Sequence, residues 1–142
     1  MLSNGEHLDP KRLQLVKLSE WFDRVKPRKV FDVNNSDEGK IPLYNSGNVL
    51  NIIKYINDYS YNNQNNEQLL IITFDGNIYP IYDKIFAIRG HNDMHILKVL
   101  KENLNIELNS KLLQIQLFNI DFGFKNKITF DKIKDIDVYL YI

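Results

Sequence analysis

The sequence predicts an α+β fold, a single domain with a dominant twisted, mostly antiparallel β-sheet and a few helices. Short apolar runs recur between clusters of Asn, Asp, Gly and Pro, which is the pattern of strands joined by turns. Eight Tyr, eight Phe and one Trp are many for 142 residues and favour a β-rich core. Only two or three segments carry helix-start signals, so helices are expected to be the minority.

The first 28 residues are predicted to be a helical and linker segment that precedes the main domain, residues 29–142. Asp9 is a plausible N-cap and Pro10 suits the first helical position, so a helix is expected to run to about Arg24. Such a helix would either pack on the core or dock a partner subunit. Its apolar stripe would consist of Leu15, Leu18, Phe22 and Val25.

The segment from Arg24 to Lys29 contains four basic residues and no acidic one. Pro27 ends the predicted helix here, because proline lacks the N–H that a helix interior requires. The segment is either a solvated linker or a stretch that lies along a phosphate backbone, where Lys and Arg add affinity without reading sequence.

Turn residues divide the rest of the chain into strands. Asp75-Gly76 predicts a hairpin turn, and Asn45-Ser46-Gly47-Asn48 predicts a second turn. The strand expected over residues 49–56 has apolar side chains on both faces, which is typical of a covered strand. Strands are predicted at about 30–33, 41–45, 49–56, 69–74, 77–82, 85–88, 94–99 and 138–142.

Two helices are expected in the C-terminal half. Asn109 or Ser110 suits the N-cap of a helix that reaches about Asn119. Thr129 suits the N-cap of a short helix over residues 130–135.

Several stretches carry a family resemblance in their order along the chain. They are Gly-Lys-Ile-Pro-Leu-Tyr-Asn-Ser-Gly at residues 39–47, Ile-Lys-Tyr-Ile at 53–56 and Ile-Ile-Thr-Phe-Asp-Gly at 71–76. This order resembles the target recognition domain of type I restriction-modification specificity subunits. Phe-Gly-Phe-Lys-Asn-Lys-Ile at 122–128 resembles part of that family's closing segment, whose last strand lacks the usual proline here. The resemblance covers residues 29–142.

The resemblance implies a binding module that reads one half of a bipartite site in double-stranded DNA. Related domains occur in fused type II systems of the BcgI kind. Modification (methyltransferase) and restriction subunits are the implied partners, and catalysis would reside in them, so no catalytic residue, metal or cofactor is expected here. Specificity subunits of this family carry two such domains separated by long docking helices, whereas this sequence has one and reaches Ile142 without such a helix.

Candidate DNA contacts are inferred from the positions of polar and basic residues in predicted loops. Asn, Gln, Arg and Lys can read base edges in the major groove, and phosphate contacts set the register. The Asn-rich tract at residues 58–68 is predicted to be a loop that could also bond adenine edges. The candidates are Lys26, Arg28, Lys29, Asn45, Ser46, Asn48, Arg89, His91, Asn92, Lys125 and Lys127.

Two other functional classes remain open. One is a small metal-dependent nuclease, in which Asp32, Glu38 and Lys40 would hold Mg²⁺ and orient a water molecule. The other is a protein-interaction domain that docks through the N-terminal segment. His91 and His95 have the spacing of a zinc-protease helix, but Asn follows the first His and the second lies in a predicted strand.

Composition limits the cellular compartment and the partners that are expected for this protein. The absence of Cys excludes disulfides and thiolate zinc sites, and fits a reducing compartment. With no secretory signal and no apolar stretch of about 18 residues, the protein is predicted to be cytoplasmic, without membrane or small-molecule partners. A net charge of zero requires any DNA contact to use a local basic patch.

Overall fold

A computed structural model describes residues 8–46, 50–73, 75–90, 94–101, 104–120 and 128–142. These ranges contain ten strands and three α-helices, with single 3-10 turns at Pro10–Arg12 and Val33–Asn35. No helix among them is long and apolar enough to cross a membrane. In chain order they are β1 (Leu13–Lys17), α1 (Leu18–Trp21), β2 (Phe22–Val25), β3 (Glu38–Ser46), β4 (Leu50–Ile56), β5 (Tyr61–Asn62), β6 (Leu69–Thr73), β7 (Ile78–Ile81), β8 (Ile85–Ile88), β9 (Met94–Val99), α2 (Ile106–Phe118), α3 (Phe130–Ile133) and β10 (Asp137–Tyr141).

The described strands form two four-stranded sheets and one two-stranded ribbon. The first sheet has the order β2-β9-β6-β7, the second the order β4-β3-β8-β5, and β1 pairs with β10. All of these pairings are antiparallel except that of β3 with β8. The predicted α+β class with mostly antiparallel strands is therefore confirmed.

Strand β6 lies at the centre of the fold, and every residue from Leu69 to Thr73 is buried. Successive side chains of a strand point to opposite faces of its sheet. Leu70 and Ile72 share one apolar cluster with α2 and β10, whereas Leu69 and Ile71 share another with β8. Full burial of such a side chain stabilises the fold by about 1.5–3 kcal/mol, so β6 requires a layer on each side.

Helix α2 covers the free edge of β10 with side-chain carboxamides. Asn109 donates from Nδ2 to the carbonyl oxygen of Tyr141 (3.0 Å) and accepts at Oδ1 from the same residue's N–H (2.7 Å). Gln116 makes the equivalent pair of bonds with Tyr139 (2.9 and 2.7 Å). Each carboxamide thus replaces the peptide group of a neighbouring strand, which satisfies backbone groups that would otherwise lack partners.

Two glycines have conformations or surroundings that require them. Gly76 has φ +95°, a region that L side chains rarely adopt, and it forms the predicted hairpin turn between β6 and β7. A Cβ at Gly39 would overlap the backbone carbonyl of Ile56, where the pairing of β3 with β4 shifts register between Glu38 and Ile41. This close approach of two backbones marks a β-bulge.

The predicted N-terminal helix is wrong. The chain forms β1, a single helical turn α1 and β2, and Leu15 of the expected apolar stripe is 57% exposed. Leu18 and Phe22 do enter the core, but from different elements. Pairing of β1 with β10 and of β2 with β9 outweighs the local helical spacing.

Three further predictions in the N-terminal half need correction. The strand expected at 30–33 is a single bridge from Phe31 to Arg89, followed by the 3-10 turn. Strand β4 is not covered, because Ile52 and Tyr55 are 40% and 53% exposed. The tract at 58–68 is not wholly a loop, since it contributes β5.

The C-terminal helices occur close to the predicted positions. Helix α2 begins four or five residues earlier than expected, because Asn105 is the N-cap and accepts from the N–H of Leu108 at 3.1 Å. Thr129 immediately precedes α3, which ends at Ile133. The predicted strands at 69–74, 77–82, 85–88, 94–99 and 138–142 correspond to β6, β7, β8, β9 and β10, with Phe74 outside the described residues.

The buried carboxamide of Asn109 should contribute more to stability than the half-buried one of Gln116. We expect Asn109→Ala to lower the free energy of unfolding by about 2–4 kcal/mol, because the Tyr141 N–H and C=O lose their partners in the interior. Gln116→Ala should cost about 0.5–1.5 kcal/mol, since water can replace the lost bonds. Urea unfolding of both variants measures the difference, and equal losses would contradict this account.

Candidate nucleic-acid interface

Parallel pairing of β3 with β8 brings two predicted DNA contacts together. Tyr44 and Ile88 are register partners, so the following residues Asn45 and Arg89 lie side by side. Arg89 donates from Nη1 to Oδ1 of Asn45 at 3.2 Å, and its backbone N–H bonds the carbonyl of Tyr44 at 3.0 Å. Ser46 is the last residue of β3. These three candidates therefore share one end of the second sheet.

The basic segment at residues 24–29 leads the chain onto this sheet. The N–H of Arg28 bonds the carbonyl of Ser60 at 2.7 Å, and the N–H of Phe31 bonds that of Ile88 at 3.1 Å. Lys26 and Lys29 are exposed along this path, with Lys29 Nζ 5.4 Å from the ring centroid of Phe31. Both predicted cations are thus available to solvent, Lys29 near the end of β8 and Lys26 beside the chain at Tyr59–Gln64.

The side chain of Arg28 binds to other residues of the same chain. Its guanidinium pairs with the carboxylate of Asp58, donates to the carbonyl of Tyr59 from Nη2 (3.0 Å) and Nε (3.2 Å), and lies 4.4 Å from the Tyr59 ring centroid. The pKa of Asp58 is lowered, chiefly by the backbone N–H of Tyr59 and also by Arg28. Arg28 therefore fastens the basic segment to the chain before β5.

A cleft of about 110 Å³ opens where β2, β8 and β9 meet. Arg24, Arg89 and His95 provide its cationic and imidazole groups, and none of its described lining residues is acidic. Arg24 pairs in register with Leu97, so His95, two residues away on β9, is its diagonal neighbour on the same face of the first sheet. The cleft thus joins both sheets.

His95 is expected to be uncharged at neutral pH. Its pKa is lowered, first by burial and then by the positive charge of Arg24. A neutral imidazole carries one N–H donor and one acceptor. His95 therefore adds no third positive charge beside Arg24 and Arg89.

Sequence reasoning missed Arg24 and His95 as parts of one site. The sequence predicts Arg24 at the end of a helix and His95 in a strand, where it is considered only with His91 as a zinc pair. The run of basic residues was the available signal for Arg24, but only the register of β2 with β9 brings the two together. The predicted contacts that lie outside the described residues are Asn48, His91, Asn92, Lys125 and Lys127.

The Asn-rich tract has a structural use at one of its residues. Asn63 is buried, donates from Nδ2 to the carbonyl of Glu67 at 2.8 Å and accepts from the N–H of Glu67 at 2.9 Å. Its carboxamide closes a small loop, as those of α2 close a sheet edge. The carboxamide of Asn63 is therefore occupied within the chain and is not available to read bases.

The nuclease alternative gains no support from the geometry. Asp32 accepts from the N–H of Asn34 at 3.1 Å and so caps the 3-10 turn. Glu38 and Lys40 lie at the exposed start of β3. Across the described part of the chain, no three His, Cys, Asp or Glu residues lie close enough to hold a metal ion.

Comparison with known proteins identifies a shared fold. No protein-family model and no curated protein matches the chain. Among solved structures, the fold is similar to a crystal structure of the type I restriction-modification system S subunit from M. genitalium, with a TM-score of 0.63 and 17% identity. The match covers 91% of this chain and 34% of that subunit, so the chain spans about a third of its length. At this identity the likeness shows the fold alone.

Titration of His95 tests the electrostatics of the cleft. We expect its pKa to lie below about 6.5, and the Arg24→Gln variant to raise it by removing a nearby charge. Because the folded state then binds fewer protons than the unfolded state, His95 contributes stability above about pH 6.5 that is lost as the pH falls through its folded pKa. NMR of the Cε1 protons measures this, with His95→Gln to assign the signal.

Lys111→Gln on α2 is the matched control for the loss of one positive charge, because α2 packs against β7 and β10 rather than the cleft. It should leave the pKa of His95 unchanged. A His95 pKa at or above about 6.5, or an Arg24→Gln variant that lowers it, would contradict the described surroundings.

Proposed function

We propose that this chain is a target recognition domain of a restriction-modification specificity subunit and binds double-stranded DNA sequence-specifically, reading one half-site. The observation that carries the proposal is the pairing of Asn45 with Arg89 at the half-buried end of β3 and β8, near Lys29 of the basic segment. The fold that presents this pair is similar to that of an S subunit.

Asn45 is the base-reading residue of this proposal. A carboxamide can bond an adenine edge in the major groove with its donor and its acceptor together. Arg89 fixes the orientation of the carboxamide by donating to Oδ1, which keeps a second lone pair for a base. Ser46 adds a hydroxyl that can bond any base edge.

Lys26 and Lys29 supply phosphate contacts, which give affinity and register without reading sequence. Asn48, His91 and Asn92 belong to the connections that follow β3 and β8, and we include them in the same contact surface. Lys125 and Lys127, which lie outside the described residues, are included in the proposal as further phosphate contacts. A zero net charge is compatible with this, because only one end of the domain meets DNA.

The domain itself is proposed to be non-catalytic. Its recognition surface draws on residues 29–142, together with Lys26 and with β2, which completes the first sheet. Modification and restriction subunits would perform methylation and cleavage on DNA that this domain selects. Such an assembly works in the cytoplasm, where its DNA substrate is found.

Selection of bound duplexes from a randomised pool tests the proposal. The full chain should enrich a motif of a few base pairs at low salt, and binding should weaken steeply at moderate salt as counterion release becomes less favourable. Binding without enrichment would contradict half-site reading by this chain. No binding at low salt would overturn the proposal and favour a protein-interaction domain.

Two variants separate base reading from phosphate contact. Asn45→Ala should cost about 1–3 kcal/mol on the selected duplex and relax the preference at one position. Lys26→Gln should weaken all duplexes about equally and reduce the salt slope by about one. Lys111→Gln is the control on α2 and should change neither property, whereas equal effects of the two lysine variants would argue against the assigned surface.

A further inference from the structure

An open groove of about 310 Å³ lies beside β5, the edge strand of the second sheet. Tyr61 and Asn62 of β5 line it together with Gln64. Lys26 and Arg28 of the basic segment line it as well. The cations at residues 24–29 thus share one groove with the Asn-rich tract.

Hydrogen bonds fix the basic segment in this position. The N–H of Arg28 bonds the carbonyl of Ser60 at 2.7 Å, and the N–H of Ser60 bonds that of Phe86 on β8 at 2.8 Å. Ser60 is fully buried, and its Oγ accepts from the N–H of Ile88 at 2.8 Å. The guanidinium of Arg28 adds its bonds to the carbonyl of Tyr59. The groove is therefore held in shape by contacts within the chain.

The groove presents positive charge to solvent. None of the described residues that line it is acidic, and Lys26 is exposed and pairs with no described carboxylate. Arg28 uses Nη2 for Asp58 and both Nη2 and Nε for Tyr59, which leaves the two N–H groups of Nη1. Asp58 reduces the charge of the groove but does not cancel it, because Lys26 supplies a second cation.

Neutral hydrogen-bond donors accompany these cations. Gln64 is exposed, and its carboxamide makes no hydrogen bond to a described residue. Tyr59 contributes a phenol hydroxyl to the same lining. Lys, Arg, Gln and Tyr side chains are among the groups that bind the phosphate oxygens of DNA without reading its sequence. An open groove of this composition fits a polyanionic backbone better than an apolar or a cationic partner.

The groove is continuous with the base-reading pair. Phe31, at the end of the basic segment, pairs with Arg89, which donates to Asn45. Asn62 pairs with Ile85, four residues before Arg89. Four residues of an extended strand span about 13 Å. This is the length of about four base pairs of duplex at about 3.4 Å each.

We propose that this groove is a binding site for the sugar-phosphate backbone of one strand of duplex DNA, which lies along β5 and extends about four base pairs beyond the bases that Asn45 reads. The inference rests on the proposed function and adds the side on which the duplex continues. Phosphates contact Lys26, Nη1 of Arg28 and the carboxamide of Gln64. These contacts set the register of Asn45 on the duplex without choosing bases.

Shortening the duplex tests the extent of the site. The duplex that the full chain selects is trimmed one base pair at a time from either side of the enriched motif. Loss of one flank of about four base pairs should weaken binding about tenfold, because the phosphates over the groove are removed. In Lys26→Gln the same trimming should cause a smaller loss, since both changes remove the same contact.

A charge reversal of the lining locates the site without touching the base-reading pair. Gln64→Glu should weaken the full-length duplex about fivefold, because a carboxylate in the groove repels phosphate. Gln14→Glu is the matched control, since Gln14 is exposed on β1 in the ribbon and not in the second sheet. It should bind as the parent does. Circular dichroism and amide NMR spectra establish that each variant is folded.

The outcomes separate the groove from the proposed function. If the duplex binds and neither flank is coupled to Lys26, the groove is not a DNA site while the proposed function stands. Equal effects of folded Gln64→Glu and Gln14→Glu would also overturn the groove, because the loss would then reflect total charge alone. Absence of binding to any duplex would overturn both.

Discussion

Burial of both faces of β6 is the constraint on which the rest of the structure depends. A strand whose every side chain is apolar or buried needs a cover on each side, and α2 with β10 supplies one while the second sheet supplies the other. Because the second sheet must pack against the first, the end of β8 is brought beside β2 and the start of β9. The cleft with its two arginines is a consequence of that packing.

Carboxamide side chains have a second architectural role in this fold. Asn109 and Gln116 pair with β10, Gln114 accepts from the N–H of Ile78 on β7 at 2.9 Å, and Asn105 caps α2. The helix therefore satisfies the edges of two sheets without contributing a strand. An abundance of Asn and Gln in a sequence does not by itself indicate base reading, because the same groups satisfy backbone donors and acceptors.

Features that depend on neighbouring residues in the sequence, such as short strands and tight turns, could be predicted from it. The runs at β6 to β9 and the turn at Gly76 were visible because short apolar runs and turn chemistry depend on neighbouring residues. The N-terminal segment forms strands rather than the predicted helix because these strands pair with β9 and β10, more than seventy residues away along the chain. The sequence indicates Asn45 and Arg89 as separate loop residues. Their contact, and the neighbouring positions of Arg24 and His95, follow from strand register that the sequence does not display.

The ribbon of β1 and β10 places Leu13 opposite Tyr141, and Arg12 donates from Nε to the carbonyl of Ile142 at 2.8 Å. The path of the backbone thus closes almost into a ring. A few linking residues at the ribbon would join the two ends, and new termini could then be opened at an exposed turn such as residues 64–66. Such a circular permutation changes the order of the segments along the chain and keeps the fold. The same closure lets the domain be inserted into a longer polypeptide, or repeated within it, while the flanking segments stay side by side.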